Sequence, residues 1–357
     1  MIYAYIHKPH RIEKFHDNFH SFFLKMIEKD LVAYDEKKLL NKQFAKIIND
    51  SGKLVGQMKE IVNQYHLLSP SDKQVVTNAL VNNNKIESLC KNSIGFTPIK
   101  YNQISNNKFR VLLKDFLTSL WEEYYFVNSI KDNFGTVQEH FKFFKENQNA
   151  KVCPFCGLYP LKPAKSIYRN DYDHYLPKAM YPFVSINYQN LYPICDECNC
   201  DEKKTTDTLY RGNIRREVFF PFDKAYKPEE LLVSIKVNSK YDKQTLKTLL
   251  DEIDWEFAIE LAGKNDPRLI SWDEVFHIKR RYREYLIDFQ KTWFQDFVLK
   301  RYKEDMADGL SFNRYKVKLI SDSKDQIKDN PLSILRYVYF NFIFSITDIE
   351  LRLKEVI

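Results

Sequence analysis

Glycine is scarce in this chain, with 8 residues among 357. So few freely turning positions point to a mainly helical protein. Long apolar runs are missing as well. No stretch reaches the roughly 18 residues that a membrane-spanning helix needs, so no membrane partner is expected. Neither sign of charge dominates: 55 basic against 48 acidic residues leave a net +7, compatible with nucleic acid without requiring it. Cysteine is limited to six residues, four of them in two Cys-x-x-Cys knuckles, and no secretory leader pattern opens the sequence. Both features suit a reducing, cytoplasmic compartment. Repeats and low-complexity stretches are also lacking. At this length two or three domains with a sizeable core are expected.

The chain is organised around residues 153–204. They open with Cys153-Pro154-Phe155-Cys156-Gly157, pass through Asp171-Tyr172-Asp173-His174-Tyr175-Leu176-Pro177, and close with Asn190-Leu191-Tyr192-Pro193-Ile194-Cys195-Asp196-Glu197-Cys198-Asn199. Two Cys-x-x-Cys knuckles fit a tetrahedral zinc ion, because a two-residue spacer lets both sulfurs of a knuckle reach it from one tight turn. Pro154 and Gly157 suit such a turn. Disulfides, or buried cysteines without metal, are the plainer alternative, and the compartment argues against the disulfides. Cys200 competes as a fourth ligand, but the spacing favours Cys195 with Cys198.

Between the knuckles lie the groups that phosphodiester hydrolysis requires. His174 can take a proton from water near neutral pH. Asp173 and Asn199 offer hard oxygen ligands for Mg²⁺ or Mn²⁺. Neighbours on a regular strand face opposite ways, so a strand end or bend is expected at Asp173-His174. A helix beginning near Cys195 would aim Asn199 back at that hairpin. Asp171 reads equally as an alternative ligand or a solvated turn carboxylate, and Asn187 as a loop cap or nothing of note. Tyr172, Tyr175, Tyr181 and Tyr192 could stack on bases, but packing a small zinc domain is the commoner role.

Together, Asp173-His174-x-x-Pro177, Asn190-Leu191-x-Pro193-x-Cys195-x-x-Cys198-Asn199 and the upstream knuckle resemble the zinc-clipped HNH (ββα-metal) endonucleases. The elements Leu176-Pro177-Lys178 and Tyr181-Pro182 look most like the HNH subunits of Septu-type and retron-linked bacterial anti-phage defence systems. The resemblance covers about residues 150–216. It implies a hairpin followed by a helix, structural Zn²⁺ on Cys153, Cys156, Cys195 and Cys198, and catalytic Mg²⁺ or Mn²⁺ on Asp173 and Asn199. It also implies His174 as base, and Asn190 as a brace for the loop carrying it. An SMC- or ABC-like ATPase is the implied protein partner. Many relatives carry a lysine three residues after the metal-binding asparagine. Here that place is Glu202 and Lys203 follows, so a phosphate contact from Lys178, Lys203 or Lys204 is only an expectation.

The flanks complete an α+β reading: a helical scaffold over 1–149, the zinc-stapled core over 150–216, and a strand pair with long helices over 217–357. Phe15, Phe19, Phe22, Phe23 and Met26 mark one helical face. His16 and His20 read as ordinary helix-surface histidines. Ser69-Pro70-Ser71 precedes a helix, and a long helix is expected from about Lys108 to Ile130. Val233, Ile235 and Val237 alternate as a strand, as do Trp255, Phe257, Ile259 and Leu261. Leu246, Leu249 and Leu250 suggest a short helix between them. Ser271-Trp272-Asp273-Glu274 reads as a capping box opening a helix through about Tyr302. That helix carries the cluster Lys279, Arg280, Arg281 and Arg283, which is either a solvated face or a track for DNA phosphates. Leu332 to Ile346 reads as a buried or partner-binding helix. Two function classes follow: a metal-dependent endonuclease acting on DNA, with RNA open, and a zinc-stapled adaptor that docks another protein.

Overall fold

The phenylalanine stripe lies on helix α1 (Glu13–Lys29), where Phe15, Phe19, Phe22, Phe23 and Met26 are all buried. Their spacing puts them on one face, and packing of that face organises the helices that follow. These are α2 (Glu36–Leu39), α3 (Lys42–Ile48), α4 (Gly52–His66), α5 (Pro70–Asn83), α6 (Ile86–Cys90), α7 (Asn107–Glu122), α8 (Asn128–Phe134) and α9 (Val137–Glu146). Ser69 caps α5 through Asp72 N, with Pro70 at its first position. The computed structural model describes residues 1–237 and 255–356; the helix expected around Leu246–Leu250 falls outside them.

The expected single helix over 108–130 is instead α7, a 3₁₀ turn (Tyr124–Phe126) and α8. Tyr124 and Tyr125 are buried at this break, so the tertiary core overrides an unbroken helical pattern. Asp72 fixes the entry to α7. Its carboxylate, 4% exposed, accepts from the amides of Ser105 at 2.7 Å and Asn106 at 2.9 Å.

Strands β1 (Tyr172–His174) and β2 (Leu191–Pro193) form an antiparallel hairpin with Asp173 opposite Tyr192 and His174 opposite Leu191. Helix α10 (Glu197–Lys203) follows and is wound as a π-helix. Its wide turn closes with the Lys204 amide on the Asn199 carbonyl, five residues back, at 3.0 Å. Short strands β3 (Tyr210–Arg211) and β4 (Ile214–Arg215) pair next. Tyr172, Phe183, Ile186, Tyr188 and Leu191 belong to the same apolar core as α1, α4, α5 and α7; Phe23, for instance, meets Phe183 edge-on at 5.2 Å.

The chain divides into two compact units, cut differently from the sequence windows. One comprises Tyr5–Gln148 and Lys162–Lys224, the other Met1–Ala4, Asn149–Leu161 and Ala225–Ile357. In the latter, β5 (Leu231–Val237) and β6 (Trp255–Leu261) pair antiparallel, with Val233 opposite Ile259 and Ile235 opposite Phe257. The apolar face of β6 packs on α12 (Ile278–Trp293) and α15 (Ser333–Ile343), where Phe257 meets Tyr282 and Trp255 meets Tyr339.

No capping box opens at Ser271. Helix α11 (Pro267–Phe276) starts earlier, because Asp266 caps it through the Arg268 amide at 2.8 Å and Pro267 takes its first position. Ser271 is buried inside it, and His277, at φ 48°, breaks the chain before α12. Beyond a π-wound stretch (Phe294–Leu299) come α13 (Lys300–Ala307), α14 (Phe312–Asp325), α15 and α16 (Ile349–Val356). Helix α15 is the apolar C-terminal segment, with Leu335, Phe340 and Ile343 fully buried.

Candidate metal centre and hydrolytic cleft

Cys153, Cys156, Cys195 and Cys198 are all buried, their sulfurs lie within 4.8 Å of one another, and none is in a disulfide. A tetrahedral ion with Zn–S bonds of about 2.3 Å spaces its sulfurs about 3.8 Å apart, so the cluster could hold a metal such as zinc. The first knuckle is a tight turn, with the Gly157 amide on the Cys153 carbonyl at 2.8 Å and the Leu158 amide on Cys156 Sγ at 3.4 Å. Gly157 sits at φ 67°, and a Cβ there would come 3.0 Å from Ile334 Cγ2. Trp272 Nε1 and the Tyr282 hydroxyl hold the turn from outside, donating to the carbonyls of Phe155 and Cys156 at 2.8 and 2.9 Å. Cys200 is exposed and stands outside the cluster. In the second knuckle the Asn199 amide donates to the Cys195 carbonyl at 3.1 Å, tying the start of α10 to a candidate ligand.

Asp173, His174 and Asn199 line one cleft of about 420 Å³, together with Trp121, Arg169 and Lys178 among others. His174 is the last residue of β1, at the strand end the sequence required. Its Nε2 lies 2.9 Å from the Ser185 carbonyl. A carbonyl only accepts, so Nε2 carries the proton and Nδ1 keeps the lone pair. Burial, reinforced by the Lys178 and Lys203 charges, lowers the His174 pKa to about 3 against the opposing carbonyl contact. The imidazole is therefore neutral at physiological pH. Trp121, near the end of α7, meets it edge-on with ring centres 5.1 Å apart. The Ser185 hydroxyl donates to the Leu117 carbonyl of α7 at 2.5 Å, so one helix sets both contacts of the histidine.

Asn190 is completely buried. Its Oδ1 accepts from the Leu176 amide at 2.8 Å, and its Nδ2 donates to the carbonyls of Leu176 at 3.0 Å and Val184 at 3.3 Å. The side chain thereby ties the segment after His174 to the loop before β2. Asp173, 2% exposed, accepts from Lys203 Nζ at Oδ1, 2.8 Å away, while its buried Oδ2 has no hydrogen-bond partner among the described residues. Burial pushes the Asp173 carboxyl above its ordinary range, and Lys203 opposes the shift. Asp173 and Asn199, the two oxygen donors the sequence singled out, both line this one cleft.

Lys203 does not reach solvent as a phosphate contact would. It is 1% exposed and bound to Asp173 and to the His174 carbonyl. Lys204 is exposed at φ 51° and lines the cleft; Lys178 lines it too, paired with Glu122 at 3.0 Å. Lys279, Arg280 and Arg283 are exposed on α12, where Arg280 pairs with Glu284, and Arg281 is buried. They belong to the other unit.

Asp171 is a solvated carboxylate paired with Arg169 at 3.1 Å. Asn187 caps its loop by accepting from the Gln189 amide and donating to Asn84. Tyr172, Tyr175, Tyr181 and Tyr192 are all buried, so they pack rather than stack on bases. Sequence reasoning missed Trp121 and Arg169, which line the cleft, and Ser185, whose carbonyl meets His174. Comparison with family models, curated proteins and solved structures returns no match. Among the described residues, no helix is long and apolar enough to cross a membrane.

Proposed function

We propose that the chain is a metal-dependent endonuclease of the HNH type, hydrolysing DNA phosphodiester bonds. The observation that carries this reading is the cleft itself, which His174, Asp173 and Asn199 line together, with the His174 imidazole neutral and protonated at Nε2. Hairpin followed by helix is also the order the sequence resemblance implies. In this role His174 Nδ1 takes the proton of the attacking water, while the Ser185 carbonyl and Trp121 hold the ring. Asp173 and Asn199 hold Mg²⁺ or Mn²⁺, which when bound supplies charge stabilisation at the phosphate and leaving oxygen. Arg169, Lys178 and Lys204 hold the phosphate backbone against the cleft wall. Zinc on the four cysteines is structural. A place in bacterial anti-phage defence and direction by an SMC- or ABC-like ATPase extend the same proposal, and co-purification with a neighbouring gene product tests them.

One observation favours the adaptor: Lys203 already neutralises Asp173 without a metal. Cleavage of supercoiled plasmid in Mg²⁺ or Mn²⁺ decides between the readings. His174→Ala is expected to lose about 10²- to 10⁴-fold in rate, with zinc content and circular dichroism unchanged. Undiminished cutting by that variant removes His174 as base. A wild type inert on DNA and RNA, with and without its co-purified partner, leaves the adaptor standing.

A further inference from the structure

Beside the hydrolytic cleft lies a second cavity of about 400 Å³, and Trp121 and Arg169 line both. Its other walls include Phe126, Lys131, Gln138 and Glu122. The volume falls within the roughly 300–1,000 Å³ of small-ligand sites. Phe126 is 71% exposed although the turn that carries it is otherwise buried, with Tyr124 at 2% and Tyr125 at 3%. The segment preceding Arg169 adds a second exposed apolar point, with Ile167 87% and Tyr168 76% exposed. This segment borders the cavity, since Gln138 Nε2 donates to the Ser166 carbonyl at 3.3 Å. Arg169 is held in place by Asp171 at 3.1 Å and lies over the Tyr172 ring at 5.7 Å.

The exposed Phe126 ring and Trp121, with two cations, one carboxylate and an amide in one concavity, match a particular ligand chemistry. A nucleobase offers a flat π-face to stack and an edge to hydrogen-bond, and its flanking phosphates pair with Lys131 and Arg169. A base inside a duplex hides both of its faces in the stack. We propose that this cavity seats the base of an unpaired nucleotide flanking the scissile phosphate, so that the preferred substrate is single-stranded or locally opened DNA. The assignment rests on the nuclease reading only for the position of the scissile phosphate; the base site itself is independent of hydrolysis.

The test uses full-length protein carrying His174→Ala and a single-stranded oligonucleotide containing 2-aminopurine, whose fluorescence is quenched on stacking. Saturable quenching is expected with the single strand and none with the fully paired duplex. Adding Phe126→Ala, an exposed position, is expected to weaken binding about tenfold, within the range for loss of one base–aromatic stack. Tyr168→Ala serves as a second variant, expected to weaken binding in the same direction. Absence of quenching, or unchanged affinity in both variants with their melting temperatures retained, overturns the base site. Quenching by a chain whose wild type cuts nothing keeps the base site and removes the nuclease. Cleavage without quenching does the reverse.

Discussion

Lys203 Nζ lies 2.8 Å from Asp173 Oδ1, with the two side chains 1% and 2% exposed, and the same ammonium donates to the His174 carbonyl at 2.8 Å. A single buried cation therefore fixes the carboxylate and the strand end that presents the histidine, leaving Asp173 Oδ2 without a partner among the described residues. Lys203 is the last residue of the π-wound α10, four residues after Asn199.

Removing one partner of a buried pair strands the other charge. Lys203→Met is expected to lower unfolding free energy by about 3–5 kcal/mol, read from urea denaturation. Asp173→Asn added to Lys203→Met should recover most of that loss, because neither buried charge then remains. A Lys203→Met chain as stable as wild type would show that the pair does not hold the site together. In a nuclease assay Lys203→Arg is expected to keep more activity than Lys203→Met.

The cysteine cluster makes a separate prediction about metal content. Wild-type protein purified without chelator is expected to carry one zinc per chain. Cys156→Ser and Cys198→Ser should each lose it and melt at lower temperature, since structural zinc contributes directly to folding. Cys200→Ser should keep the metal, because Cys200 is exposed and outside the cluster. Zinc retained in Cys198→Ser, or lost from Cys200→Ser, contradicts this ligand set. Extended treatment with a strong chelator should reproduce the two ligand variants in the wild type.

What the sequence made legible was whatever depends on short spacing. The Cys-x-x-Cys knuckles, the α1 phenylalanine face and the β5–β6 alternation each lie within one local period, and each is where the pattern put it. What stayed illegible depends on competition between local signals or on distant contacts. Ser271-Trp272-Asp273-Glu274 matched a capping box, but Asp266-Pro267 upstream started the helix first. Lys203 read as a phosphate contact by family resemblance, but it is buried on Asp173, 30 residues away in sequence, a pairing that no local spacing announces. Ser185 lies 11 residues from His174 and Trp121 lies on another helix, so no spacing rule joins them to the histidine. Of the candidate site, the four-cysteine cluster was readable, whereas the groups that hold the His174 ring were not.

His140 gives the last prediction, on acid stability. It is 4% exposed, its Nδ1 lies 2.6 Å from the Tyr172 hydroxyl, and its ring faces Tyr188 at 4.3 Å and His10 at 5.3 Å. Burial, with smaller contributions from His10 and His7, lowers its pKa to about 3. Unfolding frees the imidazole to titrate near its ordinary 6.5, so below that pH the unfolded chain binds a proton that the folded chain refuses. Stability from this group is complete above about pH 6.5 and falls as pH drops toward 3, by at most about 1.4 kcal/mol per unit. His140→Gln can keep a hydrogen bond to Tyr172 but cannot be protonated. The difference in unfolding free energy between wild type and variant, measured in urea at pH 7, 6, 5 and 4, should therefore shift steadily in the variant's favour on acidification. Parallel pH profiles for the two proteins would mean that His140 is protonated equally in the folded and unfolded chains.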